Sequence, residues 1–191
     1  MVLNIPNILT LLRIALIPVY VGIFYLPWEL AGQACALVFA LAAITDWLDG
    51  YLARKLQQVS SLGAFLDPVA DKLMVSTALI LLVEAHPSPV LAVPVLVIIG
   101  REIAISALRE WMAEFGVRAQ VAVSVIGKIK TAFQMTAIFL LIYSQDILGL
   151  PIATIGYVLL YVAAILTFWS MMVYIRAAWP TLSGNGGLYS Q

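Results

Sequence analysis

The sequence predicts an all-α integral membrane protein, a bundle of six transmembrane helices with both termini in the cytoplasm. Three observations carry this. Of 191 residues, 63% are hydrophobic and only 10% are charged, against roughly 25% charged in soluble domains. The apolar residues fall into six runs, each near the ~20 residues that a helix needs to cross a bilayer. The lysines and arginines gather in alternate connections, as they do in cytoplasmic loops.

The runs cover residues 8–27, 31–56, 62–84, 89–112, 121–144 and 152–177. Turn or polar residues separate them: Pro27-Trp28-Glu29, Gln57 to Ser61, His86-Pro87-Ser88-Pro89, Glu114-Phe115-Gly116, and Ser144 to Pro151. Connections this short make antiparallel neighbours. Arg54 and Lys55 lie in the second connection, Arg109 and Arg118 flank the fourth, and Arg176 ends the sixth run. The first, third and fifth connections hold Glu29, Glu84, His86 and Asp146 but no lysine or arginine. Six spans keep every basic connection on one side; five or seven would not.

The membrane domain is expected over residues 1–180, with residues 1–6 as a short amphipathic piece in the interface. Residues 181–191, rich in Gly and Ser from Ser183 onward, are expected to be a disordered tail. The start lacks a basic segment and a small-residue cleavage site, so the first run reads as a retained span. Tyr25, Trp28, Tyr143, Trp169 and Trp179 read as interfacial anchors, mostly near span ends. The single cysteine, Cys35, permits no intramolecular disulfide. A net charge of zero gives no pointer to nucleic acid.

Charged residues inside the runs carry the chemistry. The second run is about 26 residues, or ~39 Å at 1.5 Å per residue, longer than the ~30 Å hydrocarbon core. Its last turns should protrude into the cytoplasm, and they contain Asp46 and Asp49. The next helix carries Asp67 and Asp71. Spacings of i, i+3 and i, i+4 put each pair on one helix face. The second case requires a helix that has begun before Pro68, with that proline tolerated in the first turn. A hairpin of the two helices would bring four carboxylates to one depth. Each charge costs about 2.5–3.5 kcal/mol at the bilayer centre, and less near the interface. Arg54 and Lys72 offset part of that repulsion, and a divalent cation would offset the rest. All-oxygen ligation points to Mg²⁺, Mn²⁺ or Ca²⁺. The only histidine, His86, belongs to the opposite side, which disfavours zinc. The plainer alternative is four solvated aspartates paired with Arg54, Lys55 and Lys72.

These residues line up as Asp46-x2-Asp49-Gly50-x2-Ala53-Arg54-x8-Gly63-x3-Asp67-x3-Asp71. The pattern resembles the complete signature of the CDP-alcohol phosphatidyltransferase family. Further segments resemble the bacterial branch that makes phosphatidylglycerophosphate. These are Asn4 to Arg13, Gly63 to Lys72, Arg101-Glu102-Ile103 through Arg109-Glu110-Trp111, and Gly127-Lys128-Ile129-Lys130-Thr131.

The resemblance implies a homodimer in a bacterial inner membrane, with the active site facing the cytoplasm. It implies transfer of the phosphatidyl group of CDP-diacylglycerol to glycerol 3-phosphate, releasing CMP. It implies two Mg²⁺ or Mn²⁺ ions held by Asp46, Asp49, Asp67 and Asp71, with Asp71 as ligand, general base, or both. Asp46, Gly50, Arg54 and Gly63 would contact the nucleotide, the two glycines by letting it approach the backbone. Close helix packing is the alternative reading of either glycine. Thr10, Arg13, Arg101, Arg109 and Lys128 would form the acceptor phosphate pocket. Arg101 and Arg109, eight residues apart, share a helix face, and arginine suits bidentate phosphate contacts. Lys130 and Arg118 read instead as topology charges or contacts to anionic lipid. Glu102 reads as a residue that orients an arginine.

Two alternatives differ in testable ways. Another enzyme of the family, such as a cardiolipin or phosphatidylserine synthase, would need a different acceptor pocket. A small ion transporter would need polar groups along its whole path. The second and third runs are mostly Ala, Leu, Ile and Val beyond the aspartates.

Overall fold

The computed structural model describes residues 4–56, 60–114, 125–146 and 149–182. They form α1 (Ile5–Phe24), α2 (Ala31–Lys55), α3 (Ser61–Ala85), α4 (Pro89–Glu114), α5 (Val125–Tyr143) and α6 (Ile152–Leu182). Each helix falls on one predicted run. Four of them, over 6–24, 31–53, 89–113 and 152–179, are long and apolar enough to cross a membrane. In α3 the apolar sequence is interrupted by Asp67, Asp71 and Lys72. In α5 the apolar stretch is shorter, Ile129–Tyr143.

Local chemistry sets the helix starts. The Asn4 side chain caps α1 by accepting from Asn7 N at 3.1 Å, and Pro6 occupies the first turn, where a missing N–H costs nothing. Residues 5 and 6 therefore belong to α1 and not to a separate interfacial piece. Residues 1–3 lie outside the described residues. Ser60 caps α3, its hydroxyl accepting from Gly63 N at 2.9 Å. That cap starts α3 seven residues before Pro68, so the proline sits inside the helix and not in its first turn. Asp67 and Asp71 are thus on one helical face, as the spacing required. Helix α6 runs to Leu182, so 181 and 182 are helical; the expected tail from 183 onward lies outside the described residues.

Packing follows an order the sequence did not show. Helix α1 lies against both α2 and α3, which meet each other only narrowly. Helix α5 packs on α2 and α6, and α4 packs on α6. The core is built from Tyr20, Phe39, Leu79, Leu91, Ile98, Ile138 and Leu160, all almost wholly buried. The outer surface is apolar as well: Leu37 and Ile44 on α2, Leu96 and Ile103 on α4, and Ile165 and Phe168 on α6 are all exposed. Apolar surface on this scale belongs against lipid. Trp28 and Trp179 sit near helix ends, whereas Trp169 is mid-helix and exposed. Where α1 ends, Tyr25 donates to Glu84 at 2.7 Å. That bond raises the phenol above its ordinary pKa.

Candidate active site

At one end of the bundle α1 inserts a cation among the aspartates. Arg13 is 1% exposed, a desolvated guanidinium that requires anionic partners. Its Nη2 donates to Asp49, itself buried. Its Nη1 lies 2.6 Å from Asp46 Oδ1, an ion contact. Its Nε is buried without a hydrogen-bond partner among the described residues. One turn earlier, the fully buried Thr10 hydroxyl lies 2.6 Å from Asp67 Oδ1 and 3.1 Å from the Pro6 carbonyl. Its single proton serves one of the two at a time.

The resemblance placed Thr10 and Arg13 in the acceptor phosphate pocket. The described geometry brings both against the aspartates. The reason is topological: among the described residues α1 packs on α2 and α3 and not on α4.

Gly63 also acquires a definite neighbour. A Cβ there would fall 2.7 Å from Asn7 Oδ1 and 3.1 Å from Ser60 Oγ. The Ser60 hydroxyl donates to Asn7 Oδ1 at 2.7 Å. A methyl at this point would press on the Asn7 amide where α1 approaches the capped start of α3, so close packing is one role for this glycine. Gly50 is half-buried on α2. The Arg54 side chain lies outside the described residues.

A second, cationic region adjoins the first. A cavity between α3, α4 and α5 is lined by Asp71, Lys72, Glu102, Lys130 and Gln134, among others. Lys72 donates to Ser106 of α4. Arg101 Nη1 lies 2.7 Å from Glu102 Oε1, and Lys130 Nζ lies 3.5 Å from the same oxygen. Lys130 is only 6% exposed, which corrects its reading as a topology charge or lipid contact: α5 turns it toward the cavity. Arg109 donates from Nε to the Tyr174 hydroxyl at 3.2 Å, with its guanidinium 5.2 Å from that ring's centre. The side chain of Lys128, and all of Arg118, lie outside the described residues.

Asp71 joins the two regions. It lines the cavity with Lys130 and Glu102, and also a smaller one with Arg13 and Met74. Sequence reasoning had not singled out Tyr174, Ser106, Gln134 or Asn7. Each stands among other polar or charged residues along the chain, so spacing did not mark it. A larger cavity, about 190 Å³, lies at the other end of the bundle among Tyr20, Phe24, Cys35, Leu82 and Leu141. Among the described residues no carboxylate lines it.

The donor set suits a divalent cation in chemistry and charge. Four carboxylates face one buried arginine and Lys72, and neither Asp67 nor Asp71 has an ion pair among the described residues. Among those residues no three acidic, histidine or cysteine side chains already close around one point. Asp46, half-exposed and held among the described residues by Arg13, is the carboxylate with most freedom to turn. His86 caps the far end of α3, about 22 Å along the helix from Asp71 at 1.5 Å per residue.

The sequence profile of the CDP-alcohol phosphatidyltransferases matches residues 3–169. The chain belongs to the CDP-alcohol phosphatidyltransferase family. Similar family members include a protein of Pectobacterium atrosepticum, 54% identical over 92% of this chain and 94% of the relative. One from Sodalis glossinidius is 54% identical over 93% of this chain and 96% of its own length. One from Pseudomonas fluorescens is 51% identical over 96% of this chain and 94% of its own. All three bear the name CDP-diacylglycerol–glycerol-3-phosphate 3-phosphatidyltransferase. The family's match takes in both halves of the site, from Thr10 to Lys130.

Proposed function

We propose that this protein transfers the phosphatidyl group of CDP-diacylglycerol to glycerol 3-phosphate, giving phosphatidylglycerophosphate and CMP. The observation that carries this reading is the place of Asp71, on the wall between a carboxylate cluster and a cation-lined cavity. The names of relatives more than half identical supply the same donor and acceptor.

The two halves suit the two substrates. Asp46, Asp49, Asp67 and Asp71 would hold one or two divalent cations, Mg²⁺ or Mn²⁺, whose charge would stabilise the pyrophosphate and departing CMP. Gly50 leaves room for the nucleotide beside α2, and Arg54 reaches its phosphate or base. Arg101, Arg109 and Lys128 receive the acceptor phosphate. Thr10 and Arg13 hold aspartates in place. Asp71 takes the proton from the primary hydroxyl of glycerol 3-phosphate. The resulting oxygen attacks the β-phosphorus, the bond from that phosphorus to the CMP oxygen breaks, and CMP leaves with the electron pair. Geometry governs Asp71 here more than its resting basicity.

In the membrane, all six helices span, the termini and the aspartates face the cytoplasm, and the protein is a homodimer in a bacterial inner membrane. Serine carries no phosphate for the cationic cavity, and a second lipid would need more room there.

The test uses purified protein in detergent with CDP-diacylglycerol, Mg²⁺ and labelled glycerol 3-phosphate, following lipid-soluble label and CMP. Label transfer that stops on chelation is the expected result. Asp71→Asn should lower kcat by about 10²–10⁴-fold, the usual contribution of general acid–base catalysis. Full activity of Asp71→Asn at saturating metal would remove the base role. CMP release only with another acceptor would overturn the glycerol 3-phosphate reading.

A further inference from the structure

We infer that Glu102 is a positioning residue, holding Lys130 of α5 and Arg101 of α4 as one anion-receiving pair beside Asp71. The inference rests on the phosphate-bearing acceptor proposed above.

Helices α4 and α5 do not pack on each other among the described residues. The cavity lies between them, and the Glu102–Lys130 contact crosses it. A lysine near the start of a membrane helix ordinarily extends to the interface. Lys130 does the opposite and is buried. A buried ammonium needs a counter-charge, and its ion-pair partner among the described residues is Glu102.

That pairing is incomplete in a way that favours an incoming anion. The contact is 3.5 Å, whereas a well-formed charge-assisted hydrogen bond is about 2.7–2.9 Å. The oxygen Glu102 offers is already engaged by Arg101 at 2.7 Å. Arg101 Nε is buried with no hydrogen-bond partner among the described residues. Two cations therefore share one carboxylate, leaving one positive charge and several N–H donors unmet. Asp71 lines the same cavity. A small phosphate monoester bound to these donors would bring its neighbouring hydroxyl toward Asp71. Glu102 itself, already engaged by both cations, does not touch the substrate; it acts through them.

The experiment compares wild type, Glu102→Gln, Glu102→Asp, Lys130→Gln and the double variant E102Q/K130Q as full-length protein in detergent. Glu102→Gln should raise KM for glycerol 3-phosphate about tenfold, with kcat and KM for CDP-diacylglycerol changed less than about threefold, the signature of lost acceptor binding. Glu102→Asp should recover part of the loss, because it keeps the charge. The double variant should be no worse than Lys130→Gln, because contacting residues acting as a unit are not additive. Inorganic phosphate should raise the unfolding temperature of wild type and, at the same concentration, raise that of Glu102→Gln clearly less.

An unchanged KM for glycerol 3-phosphate would overturn the inference, and so would a lower one, which would make Glu102 a competitor of the phosphate. A fall in kcat and unfolding temperature with both KM values moving together would assign Glu102 a purely structural role. Should Glu102→Gln fail to fold, Lys130→Gln decides: an unaltered KM for glycerol 3-phosphate sinks the pair. Should wild type not use glycerol 3-phosphate at all, the proposed function falls. The phosphate-dependent shift in unfolding temperature then still judges Glu102.

Discussion

At the scale of single residues, one arginine organises the acidic half of the site. Arg13 neutralises Asp49 in a place closed to water, and removing one member of a buried pair strands the other. Arg13→Met should therefore destabilise the protein by about 3–5 kcal/mol in the presence of chelator. Added Mg²⁺ should restore part of that loss, since a divalent cation can take over the same carboxylates. Thermal unfolding with and without metal measures both effects. Arg13→Lys should fall between, because an ammonium cannot fork to two aspartates as a guanidinium does. On the cationic side Tyr174 plays the supporting part. Tyr174→Phe removes the acceptor for Arg109 Nε but keeps the ring beneath the guanidinium. KM for glycerol 3-phosphate should rise several-fold while kcat changes little. An unaltered KM would show that Tyr174 does not hold Arg109 for the acceptor.

At the scale of helices, the start of α3 decides where Asp67 and Asp71 point. The Ser60 cap fixes the first turn, and Asn7 of α1 closes over Gly63. Ser60→Ala should cost about 1 kcal/mol, as loss of an N-cap usually does. Gly63→Ala forces a methyl against Asn7 Oδ1 and should cost about 1–3 kcal/mol, as overpacking does. Adding Asn7→Ala should relieve the crowding, so the double variant should be less destabilised than the two changes summed. Strict additivity in chemical unfolding would mean that the two residues do not meet. The α2–α3 connection was legible in sequence as the place where the aspartates gather. The helix that separates α2 from α3 was not. Asn7, Thr10 and Arg13 share one face of α1 at i, i+3 spacing, which marks its inward side but not which helices meet that side.

At the scale of the molecule, the exposed surface is apolar along the helices and the charged side chains concentrate at one end. If that end faces the cytoplasm, the α3–α4 connection faces outward. Cys35 is the only native cysteine and is buried, so Cys35→Ala gives a background for single-cysteine labelling. In intact cells, Ser88→Cys should react with a membrane-impermeant maleimide, and Leu56→Cys should react only after the membrane is opened. The reverse pattern would invert the topology. Labelling of both from outside would remove a span.

The sequence by itself determined the six helices, their lipid-compatible surface and the identity of the acidic residues. Each depends on composition, on local spacing or on a motif contiguous along the chain. Only the tertiary structure decided the partners. Arg13 is 33 residues from Asp46 in the chain, yet it reaches that aspartate because α1 packs against α2. Lys130 faces inward because Glu102 awaits it across the cavity. Both assignments turn on which helix meets the polar side of α1 or of α5, and that neighbour is chosen by packing between helices.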